Sequence, residues 1–384
     1  KMNENVCQWI DDLPIHKGIL KKTQLVGRKS LSTVGLPNKS SESWRLTNLK
    51  KIKDIFTLPL ASENSKEIEK CTETCPEETK HSTRIILSHK ETKFNLPPGV
   101  RILDEKELIH ILEKSDDEKN AQINWCKSIN QASVQSVLAL KIEKQAIAQL
   151  EILIPSQSKC FNPSRIIIVL SKEAKLNLLQ VFLDKNESAN SNIIEIYMDK
   201  GSEVKHGLVG LGESESSLFS QIFIDQSENT IYSLNSIQHG WSISRIEPWI
   251  TQKEGKAKTI LQGLQVSSKK QQLATHSSVV FEGPEGCLDQ LQKSVATDKS
   301  HCIFNGAVDV PCIAQKTNAN QLSRNLLISK DAQIDTKPEL EIVADDVKCT
   351  HGATVSQLQE EELFYLRSRG INSYQATALL LEGY

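Results

Sequence analysis

Apolar and polar positions alternate with a period of two through a long series of short runs, at residues 148–154, 165–170, 176–183, 193–198, 218–224, 230–237, 259–266 and 273–281. Their β-branched content and alternation, as in Leu176, Leu178 and Gln180 against Asn177, Leu179 and Val181, predict strands. The runs recur too closely to leave room for crossover helices, which argues against a doubly wound α/β sheet. An antiparallel sandwich and a stacked parallel solenoid remain. The aliphatic character of the runs favours the solenoid, whose narrow interior is filled by small stacked residues. No crisp short repeat can be read from the letters.

Helical spacing brackets this region. Glu107, Leu108, Ile111 and Leu112 predict one helix, and residues 123–140 a second. Further upstream, Leu46, Leu49, Ile52, Ile55 and Phe56 mark an amphipathic stretch, with a break at Gly35-Leu36-Pro37. After the strands, residues 358–369 read as a helix with Gly370 just past its end, and Ser373 as the N-cap of a last helix reaching 382. Residues 61–83, rich in Glu, Lys, Ser and Thr, predict a polar linker. The expected organisation is an N-terminal helical region over 1–145, a β-solenoid over 146–354 and a helical tail over 355–384.

Composition narrows the function classes. The 384 residues carry a formal charge of −2, so the whole chain has no drive toward nucleic acid or an anionic membrane. Residues 17–53 hold ten Lys and Arg against the single acid Glu42, and read as a solvated helical face; a nucleic-acid patch there would bind with strong salt dependence. No apolar run approaches the roughly 18 residues of a membrane span, and the first ten residues do not read as a secretory leader. The nine cysteines are odd in number and scattered, which points to a reducing compartment rather than a disulfide framework. Aromatic residues make up only 5% of the chain.

Chemistry-bearing motifs are few. The glycine-rich run at 207–212 lacks the Lys-Ser/Thr that completes a phosphate loop, so no ATP site is expected. Neither a nucleophile elbow, nor a zinc-protease helix motif, nor a dinucleotide fingerprint is present. Cys71 and Cys75 form a weak C-x3-C pair within the linker, and His301, Cys302 and Cys312 flank Gly306 in strand-like context. Cys349-Thr350-His351 is more informative. On a strand, residues two apart share a face, so thiolate and imidazole would be presented together, with Asp345 further back on that face. Sulfur beside imidazole suits zinc, iron or an iron-sulfur cluster. Two ligands do not complete such a site; the others would come from elsewhere in the fold, with His276 a candidate, or from a second chain.

The C-terminal third carries the motifs AQKTNANQ at 314–321, RNLLIS at 324–329, PELEI at 338–342, ADDVKCTHGAT at 344–354 and LFYLRSRG at 363–370. In this order they resemble the SufB/SufD family of iron-sulfur cluster assembly proteins, and SufD-type chains most. Gly35-Leu36-Pro37 with Glu42 and Trp44-Arg45 is similar to the N-terminal helical motif of those chains, with Asn38 and Leu46 departing from it, and His276 sits where the family has a mid-solenoid histidine.

The resemblance implies a right-handed parallel β-helix flanked by helices, acting as a non-catalytic scaffold that pairs with a SufB-type subunit and docks a SufC-type ATPase. It further implies that His351, with Cys349 beside it, contributes to a transient iron-sulfur cluster shared with SufB, and to iron acquisition. Docking of the ATPase falls to the tail, at Leu363, Phe364, Tyr365, Arg367, Arg369 and Gly370. ATP hydrolysis would reside in the partner. A cytoplasmic location, or the stroma in a plastid-bearing host, and self-pairing when the partner is absent follow from the same likeness. The alternative from another class is a β-helix enzyme acting on carbohydrate.

Overall fold

The computed structural model describes residues 4–62, 82–87, 95–116, 124–213 and 215–384. Cys71, Cys75 and most of the expected linker lie outside the described residues. Among the described residues the chain is a parallel β-solenoid of about eight turns with seven α-helices at its two ends. Each turn contributes one strand to each of two nine-stranded sheets. One sheet runs from β1 (Thr83–Ile86) through β4 (Ile147–Pro155) to β16 (Asn318–Leu327) and β18 (Lys348–Gln357). The other runs from β2 (Val100–Ile102) and β3 (Leu138–Ile142) through β5 (Phe161–Leu170), β13 (Gln272–Phe281) and β15 (His301–Val310) to β17 (Gln333–Ile342). All pairings are parallel except that of β2 with β3.

The repeat that the letters hide is visible in the backbone. Gln145, Glu173, Gly201, Asn229, Lys256, Glu285 and Lys316 all have φ between 50° and 70°, at intervals of 27 to 31 residues. Each sits at a corner where the chain adopts a left-handed conformation, a requirement of geometry that Gln, Glu, Asn and Lys meet at all of these corners except Gly201. Corner amides keep the coils in register, as Glu173 N–H donating to Lys200 O at 2.9 Å and Gly201 N–H to Glu228 O at 3.1 Å.

Alternation sends every second side chain into the lumen. In the early turns these are aliphatic: Ile152, Ile154, Ile166, Ile168, Ile194 and Ile196 are all buried. In the later turns they become Gln290, Gln292, Ser294, Gln321, Ser323 and Asn325, all buried and laddered by amide and hydroxyl hydrogen bonds. This change explains why strands at Cys287–Ala296 and Asn318–Leu327 were not anticipated: their inward positions are polar, so the hydrophobic alternation vanishes while the alternation of burial persists. The glycine-rich run at 207–212 is part of another strand, Glu203–Leu211. Gly210, and Gly212 just past the strand, make room for the buried Trp241, whose indole N–H donates to Gly210 O at 2.9 Å; a Cβ at Gly212 would collide with that ring.

The scarce aromatics gather where the N-terminal helices meet the outer face of the second sheet. Trp9, Trp44, Phe56, Trp125, Phe161 and Phe219 pack edge to face, with Trp9 5.2 Å from Phe56 and from Phe161. Beside them lies a buried ionic cluster. The Arg165 guanidinium, fully buried, donates to Asp116 at 3.1 Å and to Glu195 at 3.0 Å, and Asp116 also accepts from Thr23 and Gln131. Three buried charges that demand mutual compensation thus tie three helices to two coils.

Helices depart from expectation in two places. The helix anticipated over 123–140 ends as Trp125–Ser133, and Leu138–Ile142 is already a strand of the solenoid. The last helix, Ser373–Gly383, is capped not by Ser373 but by Asn372, whose side chain accepts from Gln375 N–H at 2.9 Å. Helix Glu105–Ser115 carries a full capping box between Asp104 and Glu107. No helix among the described residues is long and apolar enough to cross a membrane.

Candidate functional site

The last coil of the solenoid ends on β17 and β18, and neither strand contains a buried residue. In β18, Cys349 lies opposite Ala319 and His351 opposite Gln321 of β16. Ala319 and Gln321 are buried lumen positions, so Cys349 and His351 share one face, that of the lumen, as the two-residue spacing predicts. No further coil covers them. Cys349 is half-buried against the aliphatic core, and His351 is exposed at the open end. Burial pushes the Cys349 thiol above its ordinary pKa, which favours its protonated form.

The remaining expected ligands are not brought there. Asp345 lies in the bend before β18 and not on its strand face. His276 is on β13, in the opposite sheet and on its outer side, beneath the segment around Glu42 to Thr47. His301 and Cys302 are adjacent and point to opposite faces: His301 bonds Asp335 at 2.6 Å and Gln272 at 2.9 Å outside, while the buried Cys302 sits by Ser267 at 3.1 Å inside. Cys312 is exposed in a turn. Among the described residues no group of three or more His, Cys, Asp or Glu side chains could hold a metal ion. Among the described residues the Cys349–His351 pair has no third such side chain grouped with it.

The docking residues expected on the tail lie on helix Glu360–Ser368 and its end. Leu363 and Leu366 are half-buried, whereas Phe364 is 72% and Tyr365 57% exposed. Arg367, Arg369 and Gly370 are exposed, and the Arg369 guanidinium lies 5.4 Å from the Tyr365 ring. Gly370 takes φ 86° and ends the helix, as expected. At the far end of the tail, Lys293 donates to the Tyr384 carbonyl and lies 5.1 Å over its ring, fastening the last helix to the solenoid wall.

A family model described as the SufBD core domain of the SUF system for iron-sulfur cluster assembly matches residues 153–384. The chain belongs to the SufBD core family. An iron-sulfur cluster assembly SufBD family protein of Synechocystis is 44% identical over 161 residues, 42% of this chain and 36% of that protein. The iron-sulfur cluster assembly protein SufD of Escherichia coli is 50% identical over 92 residues, 24% of this chain and 22% of that protein. A chloroplastic protein of Arabidopsis thaliana is 33% identical over 184 residues, 48% of this chain and 39% of that protein. The aligned stretches thus take in less than two fifths of these relatives.

The N-terminal motif, which precedes the matched core, has a structural part that sequence reasoning missed. Trp44 is buried and carries the Arg245 guanidinium 4.1 Å above its ring; Arg245 also donates to Ser43 O at 2.7 Å, and Lys337 pairs with Glu42 and Glu339. The motif clasps the helical region onto the second sheet at two strands, Ile243–Gln252 through Arg245 and β17 through Lys337. Under the clasp is a cavity of about 250 Å³ lined by Glu42, Thr47, His276, Asn305, Asp335 and Lys337. The partners lie more than 200 residues apart, so no spacing in the sequence could have disclosed it.

Proposed function

We propose that this chain is a non-catalytic scaffold subunit of the SUF machinery that pairs with a SufB-type subunit and docks a SufC-type ATPase. His351, with Cys349 beside it, contributes ligands to a nascent iron-sulfur cluster that the partner completes, and takes part in iron acquisition. The observation that carries this reading is the open last coil. It sets an imidazole and a thiol side by side on the lumen face, leaves the set incomplete, and exposes the free edges of β17 and β18, where a second chain can add strands. The exposed Phe364 and Tyr365 on the tail give the ATPase an aromatic anchor, a residue type favoured at the centres of interfaces. ATP-driven movement of the ATPase reaches the site through the tail, and the work is done in the cytoplasm, or in the stroma of a plastid-bearing host.

His351→Ala tests the reading. In the complex reconstituted with SufB-type and SufC-type partners, cluster yield is expected to fall by about tenfold or more while the complex still assembles. Full maturation by an intact variant complex would remove His351 from the mechanism.

A further inference from the structure

One lumen column, one residue from each coil of the first sheet, reads Leu150, Leu178, His206, Leu234, Leu261, Gln290, Gln321, His351. Its last members form an amide ladder. Gln321 Nε2 donates to Gln290 Oε1 at 2.9 Å, so the Gln290 amide oxygen accepts from the side-chain donor of the following coil. Gln321 is itself 1% exposed, and its Oε1 is buried with no hydrogen-bond partner. Such an orphan costs about 1–3 kcal/mol, so its partner is expected where the ladder continues. The following side chain in the column is His351, one strand spacing of about 4.8 Å away.

A glutamine–histidine contact already occurs in the lumen, there between neighbouring columns. Further up, His206 sets its Nε2 3.0 Å from Gln180 Oε1, and its Nδ1 3.0 Å from the Tyr232 hydroxyl. Room for Gln321 is made by Gly306, where a Cβ would collide with the amide.

We propose that Gln321 is a positioning residue for His351: its amide oxygen accepts the imidazole N–H, so the other ring nitrogen is left bare and aimed out of the open end toward the ligand. The inference rests on the reading of His351 as a cluster ligand and says how this chain fixes its tautomer. A ligating histidine ordinarily donates its second nitrogen to a carbonyl or carboxylate, which orients the ring and raises its basicity.

The test separates the two claims. In the free, uniformly 15N-labelled chain, two-bond proton–nitrogen spectra should show His351 as one tautomer with a ring N–H protected from exchange with water. Gln321→Leu fits a column otherwise rich in leucine; it should leave His351 in the averaged, rapidly exchanging state of an exposed imidazole. Gln321→Glu, which keeps the acceptor, should hold the single tautomer, and Gly306→Ala, which displaces the amide, should lose it by an independent route. A His351 ring already averaged in the parent chain, or unchanged in Gln321→Leu with the fold intact by circular dichroism, overturns the proposal. In the reconstituted complex, Gln321→Leu should lower cluster yield about tenfold and Gln321→Glu should restore it. Failure of His351→Ala to affect yield would strike the cluster reading, while the spectra of the free chain would still judge the hydrogen bond.

Discussion

The two ends of the solenoid use the same strand geometry and opposite interiors. At the N-terminal end the lumen is packed with Ile152, Ile154, Ile166, Ile168, Ile194 and Ile196, and the outer face is covered by helices locked through Arg165, Asp116 and Glu195. At the C-terminal end the lumen holds Gln290, Gln321, Ser323 and Asn325 and then opens on Cys349 and His351, with Val355 49% exposed. Closure at one end supplies stability, since each buried Ile or Leu contributes about 1.5–3 kcal/mol. At the other end the interior mixes Gln290, Gln321, Ser323 and Asn325 with Leu288, Val308 and Ala319 before the last coil is reached, so its exposure costs less.

The sharpest way to break the comparison is at Arg165. Arg165→Met leaves Asp116 and Glu195 buried without their cation, and such removals cost about 3–5 kcal/mol. Urea unfolding of the variant should show that loss, together with earlier release of the N-terminal helices. A change below about 1 kcal/mol would mean that the cluster does not secure the covered end.

A paired truncation compares the two lumens directly. Ile168→Ala removes a fully buried side chain among isoleucines and should cost about 2–5 kcal/mol. Val355→Ala, on the same inward side of the last coil, should change stability by less than about 0.5 kcal/mol in the isolated chain. Equal losses at the two sites would show that the last coil is as well packed as the first, and would remove the argument for an open end.

How much of this was legible in the letters follows the same gradient. The early strands show because their inward residues are aliphatic; in Lys175–Leu183, Leu176, Leu178 and Phe182 point inward and mark it plainly. Strands lined by Gln290 or Gln321 do not, since a buried amide and an exposed one are the same letter, and only the ladder of hydrogen bonds distinguishes them. The pairing of Cys349 with His351 on one face followed from strand period alone, and the family motifs pointed to the same residues. Asp345 was misplaced because the strand starts at Lys348, a boundary that alternation does not mark. The clasp of Glu42 and Trp44 on Lys337 and Arg245 joins distant coils and left no local trace.

Acid supplies the mildest probe, because it asks which histidines are enclosed. His206 lies in the closed part of the lumen, 1% exposed, and desolvation pushes its pKa down to about 3; its hydrogen-bonding neighbours, Tyr232 and Gln180, are neutral and offer no charge to stabilise the imidazolium. The unfolded chain binds this proton near pH 6.5, so between about 6.5 and 3 the unfolded state holds more protons than the folded one. The stabilising contribution of neutral His206 is therefore complete above pH 6.5 and declines as pH falls through that window, by about 2 kcal/mol at pH 5. His276, pushed down in the same direction by burial and by Arg245, adds to the loss. Urea midpoints measured from pH 7.5 to 4.5 should fall accordingly, and His206→Leu, although weaker at pH 7 for leaving Tyr232 and Gln180 without their partner, should show a flatter dependence. An unchanged slope in that variant would mean that water reaches the lumen at His206 and that the closed part of the solenoid is shorter than the burial of its side chains implies.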